Sequence, residues 1–181
     1  GAGGGGGAGA GGGRGGGGGG GALWAGGQGV NPNPSAVGRR KLYLHDLGDF
    51  RVLGGDTLRD PRVPDRHGAL SQFDVVIANP PLSLNYWGAE QWVADPGAFC
   101  GVPPKNSADL AWVQHMVASM KPGTGRVGVV MPHGVLFRGG AEGAIRKCTL
   151  WSTSIPSSAR SASRAGTRPK PATARCAKRC A

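Results

Sequence analysis

An apolar run that stops at an amide and two prolines constrains the fold of this chain most. Residues 73–78 (FDVVIA) are followed directly by Asn79, Pro80 and Pro81. Short apolar runs of this kind are typical of strands buried in a parallel sheet. Proline fixes φ and lacks a backbone N–H, so two prolines in succession end the strand. We therefore expect Asn79 at the carboxyl end of a buried strand, the edge at which open α/β sheets bind ligands.

Other segments of the chain alternate between strand and helix patterns. Short apolar runs predict further strands at residues 22–25, 50–53 and 126–131. Helical spacing of apolar residues predicts helices at about 35–47, 107–120 and 136–147. Asn33, Pro34 and Ser35 offer capping groups before the first of these helices, and Ser107 offers one before the second. This alternation predicts an α/β fold around a parallel sheet.

A second polar residue follows another predicted strand. Asp56 comes directly after Gly54 and Gly55, at the end of the strand predicted over residues 50–53, so we expect it at the same sheet edge as Asn79. A long loop over residues 82–106 contains Trp87 and Trp92. Loops of this length are usually functional or mobile. The two indoles either stack on a nucleotide or pack the loop onto the domain.

Several separated motifs together resemble one protein family. They occupy residues 27–32, 55–58, 79–82, 101–104, 107–116 and 125–142. In this order and spacing, the chain resembles the modification (M) subunit of type I restriction–modification systems, a family of site-specific, adenine-specific DNA methyltransferases. The resemblance covers roughly residues 22–147. It implies an α/β fold with an incomplete Rossmann-like, S-adenosylmethionine-dependent methyltransferase domain, flanked by disordered ends.

The resemblance assigns the catalytic loop to Asn79, Pro80, Pro81 and Leu82. An exocyclic amine is a poor nucleophile because its lone pair is delocalised into the ring. A carboxamide oxygen and the carbonyl of Pro80 can accept its hydrogen bonds and aim the lone pair at a methyl donor. Leu82 stands where the family has an aromatic residue that stacks on a flipped-out base. It can therefore offer apolar contact and no π face.

The resemblance also implies S-adenosylmethionine as cofactor, with Gln28, Gly29, Asp56 and Thr57 in its site. Asp56 matches the acidic residue that holds the adenine ring of the cofactor. Gly29 stands where the family usually has an acidic residue for the ribose hydroxyls. The family's glycine-rich cofactor loop should precede Leu23, and it is missing from the sequence. We therefore expect this chain to be inactive or nearly so.

The positive charge of the chain belongs to its ends. The formal net charge is +11, yet residues 41–142 carry nine basic and ten acidic side chains. Residues 1–21 are mostly glycine and are expected to be a disordered segment, because glycine buries no side chain and loses the most backbone entropy on folding. Residues 148–181 form a basic, low-complexity tail that is also expected to be disordered. The domain lies between them, over residues 22–147.

The composition of both ends suggests the hypothesis that they are translated out of frame. Apolar strands and a cofactor loop in the other two reading frames would support this hypothesis, and their absence from both would exclude it. No metal site is predicted, because Cys176 and Cys180 lack a second ligand pair at zinc spacing. The sequence shows no signal peptide and no long apolar run, so we expect a cytoplasmic protein without membrane contact.

The resemblance implies several macromolecular partners. They are double-stranded DNA, the specificity and restriction subunits of the same system, and a second copy of the M subunit. Two alternative functions remain open. Asn-Pro-Pro also serves methyltransferases that act on protein glutamine or on RNA, although residues 136–142 favour the restriction–modification family. The basic ends would also suit a non-catalytic nucleic-acid-binding protein, whereas the nearly neutral middle of the chain argues against one.

Overall fold

One mixed sheet organises the part of the chain that the structure describes. The structure is a computed structural model, and it describes residues 8–13, 23–62, 70–92 and 97–154. Within these residues five strands pair in the order β3-β2-β1-β4-β5. The strands are β1 (Ala8–Gly13), β2 (Leu23–Gly29), β3 (Asp49–Gly54), β4 (Val75–Ala78) and β5 (Arg126–Val129).

Four of these strands run in the same direction. β2 pairs with β3 in parallel, and β4 pairs with β5 in parallel. β1 is antiparallel to both β2 and β4, so β2 and β4 also run parallel to each other. The carboxyl ends of β2, β3, β4 and β5 therefore meet at one edge of the sheet. This arrangement confirms the predicted α/β fold and its four sequence-predicted strands.

The position of β1 differs from the sequence expectation. Residues 1–21 are predicted to be disordered, whereas Ala8–Gly13 forms the central strand between β2 and β4. The remaining residues of that segment lie outside the described residues. The physical reason is that β2 and β4 would otherwise leave rows of backbone N–H and C=O groups unpaired inside the sheet. A glycine-rich strand can fill this gap because pairing requires only its backbone.

Four α-helices and one 3₁₀ helix accompany the sheet in the described residues. They are α1 (Pro32–Leu44), α2 (Ala89–Trp92), α3 (Asp109–Ala118), α4 (Gly140–Ser154) and the 3₁₀ helix His133–Leu136. α4 continues beyond residue 147 into the segment that is predicted to be a disordered tail. The rest of that tail, residues 155–181, lies outside the described residues.

The helix starts differ from the predicted caps. Asn31 caps α1, with its side-chain oxygen accepting a hydrogen bond from the Asn33 backbone N–H at 3.0 Å. The helix thus begins earlier than predicted, because Pro32 is tolerated in a first turn that needs no N–H. Ser107 does not cap α3, which begins at Asp109. Its hydroxyl instead donates to a Glu142 carboxylate oxygen at 3.3 Å.

α3 is the central element of the core. Of its ten residues, eight are buried. Its faces contribute to three apolar clusters, one against the sheet through Met116, one against the loop after β4 through Trp112, and one against α4 through Leu110. α1, in contrast, has no buried residue. α3 therefore holds the loop that follows Asn79 in place through the cluster that contains Trp112.

A disulfide that the sequence analysis did not anticipate joins the loop before α3 to α4. It links Cys100 to Cys148, which are separated by 48 residues. Cys176 and Cys180 lie outside the described residues. Among the residues that are described, no group of three or more histidine, cysteine or acidic side chains is placed to hold a metal ion. No helix in the described part of the chain is long and apolar enough to cross a membrane.

Candidate active site

Asn79 lies where the sequence predicted it, at the carboxyl end of β4. It follows Ala78 directly, and the Val130 N–H donates to the Ala78 carbonyl at 3.1 Å, which pairs the chain up to the last residue before the loop. Asn79 is exposed, whereas Pro80 is buried. A carboxamide is therefore presented to solvent from a backbone that the sheet and the proline hold in place.

The loop after the two prolines turns sharply. Ser83 has φ of 52°, in the left-handed region that few non-glycine residues adopt. Its backbone N–H donates to Oδ1 of Asp109 at 2.8 Å. Leu82, beside this turn, is 49% exposed. An apolar side chain that is half exposed three residues after Asn79 can contact a planar ligand, but it cannot stack on one as an aromatic ring would.

The two tryptophans of the loop pack the loop onto the domain. Trp87 and Trp92 are 2% and 1% exposed, and their rings meet edge to face with centroids 5.7 Å apart. The Trp87 indole N–H donates to the Pro104 carbonyl at 3.1 Å. Of the two expectations for these residues, packing is confirmed. Tyr86, which is 88% exposed, is the most exposed aromatic residue in the described part of this loop.

Asp56 follows the end of β3, and its carboxylate is largely committed to its own turn. Oδ1 accepts hydrogen bonds from the backbone N–H groups of Leu58 and Arg59 at 3.0 and 3.2 Å. Oδ2 lies 3.8 Å from Nε of Arg59. The side chain is about one third exposed, with a relative accessibility of 35%. Thr57, the next residue, is buried.

Gln28, near the end of β2, holds the segment after Asp56 against the sheet. Its Nε2 donates to the Asp60 carbonyl at 2.7 Å, and its Oε1 accepts from the Arg62 N–H at 2.7 Å. The side chain is 5% exposed. Gly55 has φ of +148°, and a Cβ there would lie 2.9 Å from Nε2 of Gln28. This close packing commits both polar atoms of Gln28 to the protein.

Asp56 and Asn79 lie at the same edge of the sheet, as the sequence predicted. β3 and β4 are separated by β2 and β1 in the sheet order. At about 4.8 Å between neighbouring strands, their carboxyl ends are roughly 14 Å apart. Gln28 and Gly29 end β2, so they lie on the β3 side of this gap. The structure thus places all the predicted site residues along one edge.

These residues do not fit S-adenosylmethionine as a complete site. Asp56 is the one carboxylate of the predicted set and is partly exposed, and both polar atoms of the buried Gln28 side chain are hydrogen-bonded to the protein. Gly29 has no side chain to accept hydrogen bonds from ribose hydroxyls. The last residue of β1, Gly13, pairs with Leu23 at the start of β2, so β1 ends at the edge opposite Asn79.

A cleft between Arg59 and the loop after β4 contains paired charges. Its volume is about 340 Å³, and its lining includes Arg59, Tyr86, Glu90 and Lys105. Lys105 Nζ lies 2.7 Å from a Glu90 carboxylate oxygen. This hydrogen bond and charge lower the pKa of Glu90 and raise the pKa of Lys105. Asn79 is not among the described residues that line this cleft.

A buried acidic residue next to the loop escaped the sequence analysis. Asp109 is 0% exposed, and its Oδ2 accepts a hydrogen bond from Nη1 of Arg138 at 2.9 Å. Hydrogen bonds to Asp109 and then to Glu142 raise the pKa of Arg138, so its cation is held more firmly than usual. Both residues stand in motifs at 107–116 and 125–142, but nothing in their spacing along the chain shows that they meet.

Comparisons with known proteins give the family. The sequence pattern of the family described as N-6 DNA Methylase matches residues 21–156. The methylase subunit of the type I restriction enzyme MjaVII from Methanocaldococcus jannaschii is 34% identical over 131 residues, which is 67% of this chain and 21% of that protein. The methylase subunit of the type I restriction enzyme HindI from Haemophilus influenzae is 28% identical over 68% of this chain and 27% of that protein.

A solved structure is also similar. The type I restriction–modification system methyltransferase subunit from Streptococcus thermophilus aligns with a TM-score of 0.62 and 33% identity. The alignment covers 68% of this chain and 26% of that one. The chain therefore spans roughly a quarter of the length of the proteins it matches.

Proposed function

The chain belongs to the N-6 DNA methylase family, and on that premise we propose that it carries the adenine-binding loop of a site-specific adenine DNA methyltransferase of a type I restriction–modification system. The product would be DNA methylated on the 6-amino group of adenine. The observation that carries this proposal is the exposed carboxamide of Asn79 at the end of β4, followed by the buried Pro80.

Asn79 and Pro80 would act on the amine by hydrogen bonding. The Asn79 side-chain oxygen and the Pro80 carbonyl are two acceptors, and a 6-amino group has two N–H donors. Accepting both hydrogen bonds draws the nitrogen away from planarity and makes its lone pair available. Because β4 is paired on both sides, by β1 and β5, the strand that leads into these acceptors is held in place before the base arrives.

The base would have to leave the duplex to reach Asn79. Leu82 provides apolar contact in place of the stacking ring of the family. Stacking of a base on an aromatic side chain is worth about 1–3 kcal/mol. We therefore propose that this chain holds a flipped adenine more weakly than a relative with an aromatic residue at that position.

Methyl transfer is proposed to be absent or nearly absent in this chain alone. The family's donor is S-adenosylmethionine, and we propose that the chain binds it weakly or not at all through Asp56, Thr57, Gln28 and Gly29. The support is the commitment of Gln28 to Asp60 and Arg62, and the lack of an acceptor at Gly29.

The proposed partners are double-stranded DNA, specificity and restriction subunits, and a second copy of the M subunit. The support is the family, together with the near-neutral charge of residues 41–142. A neutral surface attracts DNA weakly, so other chains would have to supply most phosphate contacts. A cytoplasmic location is proposed from the DNA substrate alone. The similarity to type I methylase subunits supports DNA over glutamine side chains or RNA, and it supports an enzyme over a non-catalytic basic protein.

Calorimetry with S-adenosylmethionine is the first test, with Asp56→Ala as the control variant. We expect no measurable binding by the unmodified chain. Binding that Asp56→Ala abolishes would instead mean that the described edge does hold the donor. In that case the chain would no longer be expected to be inactive.

A graft tests the acceptor half of the proposal. Residues 1–21 would be replaced by a first strand and a glycine-rich cofactor loop of the family's usual pattern, and donor binding would be verified first. Incubation with unmethylated DNA is then expected to yield N6-methyladenine, measured by mass spectrometry of the nucleosides. The matched variant Asn79→Ala in the same graft should yield none. Methylation of another base, or methylation that persists without Asn79, would contradict the proposed role.

A further inference from the structure

A fully buried carboxylate stands behind the loop that carries Asn79. Asp109 is 0% exposed and occupies the first position of α3. A buried charge is costly unless it is paired and hydrogen-bonded. Each of its oxygens has a partner in the described structure, since Oδ1 accepts from the Ser83 N–H at 2.8 Å and Oδ2 accepts from Arg138 at 2.9 Å. The helix N-terminus stabilises the same negative charge.

The contact with Ser83 fixes the far end of the catalytic loop. Ser83 lies four residues after Asn79, and Pro80 and Pro81 stand between them. Proline locks its own φ, so few backbone torsions can change between Ser83 and Asn79. Ser83 itself is in the left-handed region, with φ of 52°, which persists only where the surroundings hold it. Movement at Ser83 is therefore passed on to Asn79.

Arg138 fixes Asp109 from the other side. Its Nη1 donates to Asp109 at 2.9 Å, to Glu142 at 3.2 Å and to the Ser107 hydroxyl at 3.3 Å. The backbone of Arg138 is held in turn, because Nη1 of Arg146 donates to its carbonyl at 2.8 Å. Arg138 follows β5, the strand next to β4. The contacts thus join the segments that follow two neighbouring strands.

We propose that Asp109, held by Arg138, is a positioning residue that fixes Ser83 and thereby sets the orientation of the Asn79 carboxamide toward adenine. The inference rests on the proposed function, because it names adenine as the ligand of Asn79. Asp109 itself touches no substrate. It acts through the Ser83 N–H and the stiff segment between Ser83 and Asn79.

Nuclear magnetic resonance on the full ¹⁵N-labelled chain tests the proposal. The first readout is hydrogen–deuterium exchange of the Ser83 amide. In Asp109→Ala its exchange is expected to rise about tenfold or more relative to the wild type, because the amide loses its acceptor. The side-chain NH₂ resonances of Asn79 should shift in the same variant. Phe73→Leu, which thins the buried core at the end of β4 opposite Asn79, is the matched control and should change neither readout.

Two replacements of Arg138 separate a role in positioning Ser83 from a role in general stability. Arg138→Lys keeps a cation for Asp109 and should preserve the protection of Ser83 in part, whereas Arg138→Gln should lose it. These variants also serve if Asp109→Ala fails to fold. Equal Ser83 exchange in Arg138→Gln and the wild type would overturn the proposal, and so would unshifted Asn79 resonances in Asp109→Ala.

Titration with adenosine separates this inference from the proposed function. In the wild type, adenosine is expected to shift the Asn79 NH₂ resonances, and in Asp109→Ala the shift should be lost. Asn79 resonances that do not respond to adenosine in the wild type would count against the proposed function. The Ser83 exchange data would still decide whether Asp109 positions the loop.

Discussion

Gln28 is either a residue that binds a ligand or a structural clamp, meaning a side chain that holds the segment after Asp56 against the sheet. The substitution Gln28→Met keeps the length and most of the volume of the side chain and removes both hydrogen-bonding groups. It therefore breaks the bonds to the Asp60 carbonyl and the Arg62 N–H, each 2.7 Å long. If Gln28 is a clamp, the loss appears in the stability of the protein without any ligand.

The expected magnitude follows from these two bonds. Each intramolecular hydrogen bond contributes about 0.5–1.5 kcal/mol net, so the pair contributes about 1–3 kcal/mol. Asp60 and Arg62 are exposed residues, so water can replace the lost partners and a larger penalty is not expected. With a urea slope of roughly 2 kcal/mol per M, the unfolding midpoint should fall by about 0.5–1.5 M.

The assay is urea denaturation followed by tryptophan fluorescence, with Gln72→Met as the control because Gln72 is exposed. The control should leave the midpoint unchanged. Gln28→Glu keeps an acceptor for the Arg62 N–H but sets an oxygen against the Asp60 carbonyl, so its midpoint should fall at least as far. Equal midpoints for Gln28→Met and the wild type would refute the role of Gln28 as a clamp. Gln28 would then again be a candidate for binding S-adenosylmethionine.

Three further outcomes are expected. Trp92→Ala should cost about 3–5 kcal/mol in urea denaturation, because the indole is 1% exposed in the core; a loss below 1 kcal/mol would contradict this packing. Cys148→Ser opens a closed loop of 48 residues, and in oxidising buffer it should cost up to about 4 kcal/mol. With excess reductant, the wild type and Cys148→Ser should unfold alike, and a persistent difference would point to a packing role. The pKa of Glu90 is lowered by Lys105, so this pair stabilises the protein above the ordinary value of 4.5 and loses that effect on acidification through the lowered pKa. Glu90→Gln should therefore lower the midpoint slightly at pH 7 and leave it unchanged at pH 2, and an equal effect at both pH values would contradict the pair.

The parallel strands and the position of Asn79 could be predicted because their signals are local. β4 is a short apolar run, and the two prolines after it end the strand wherever the rest of the chain lies. The same holds for Asp56, which follows the two glycines at the end of β3. A parallel sheet then brings both residues to one edge without further information.

Contacts between distant parts of the chain could not be predicted in this way. Gln28 meets Arg62 across 34 residues, and Asp109 meets Ser83 across 26. The side chains involved are common polar types, and nothing in their neighbours along the sequence distinguishes a clamp from a ligand. β1 was missed for a different reason. Glycine has a low strand propensity, and β1 forms because its neighbours require a partner.

The composition of the central strand, β1, affects how firmly its alignment with β2 and β4 is set. β1 contains only glycine and alanine, so no large side chain distinguishes one face of this strand from the other. Strand alignment is normally enforced by side chains that must stay on the buried face, and a shift by one residue would expose them. Here a shift exposes at most a methyl group, and nearly the same composition recurs throughout residues 1–21. The side chains of β1 therefore specify the alignment of the central strand only weakly.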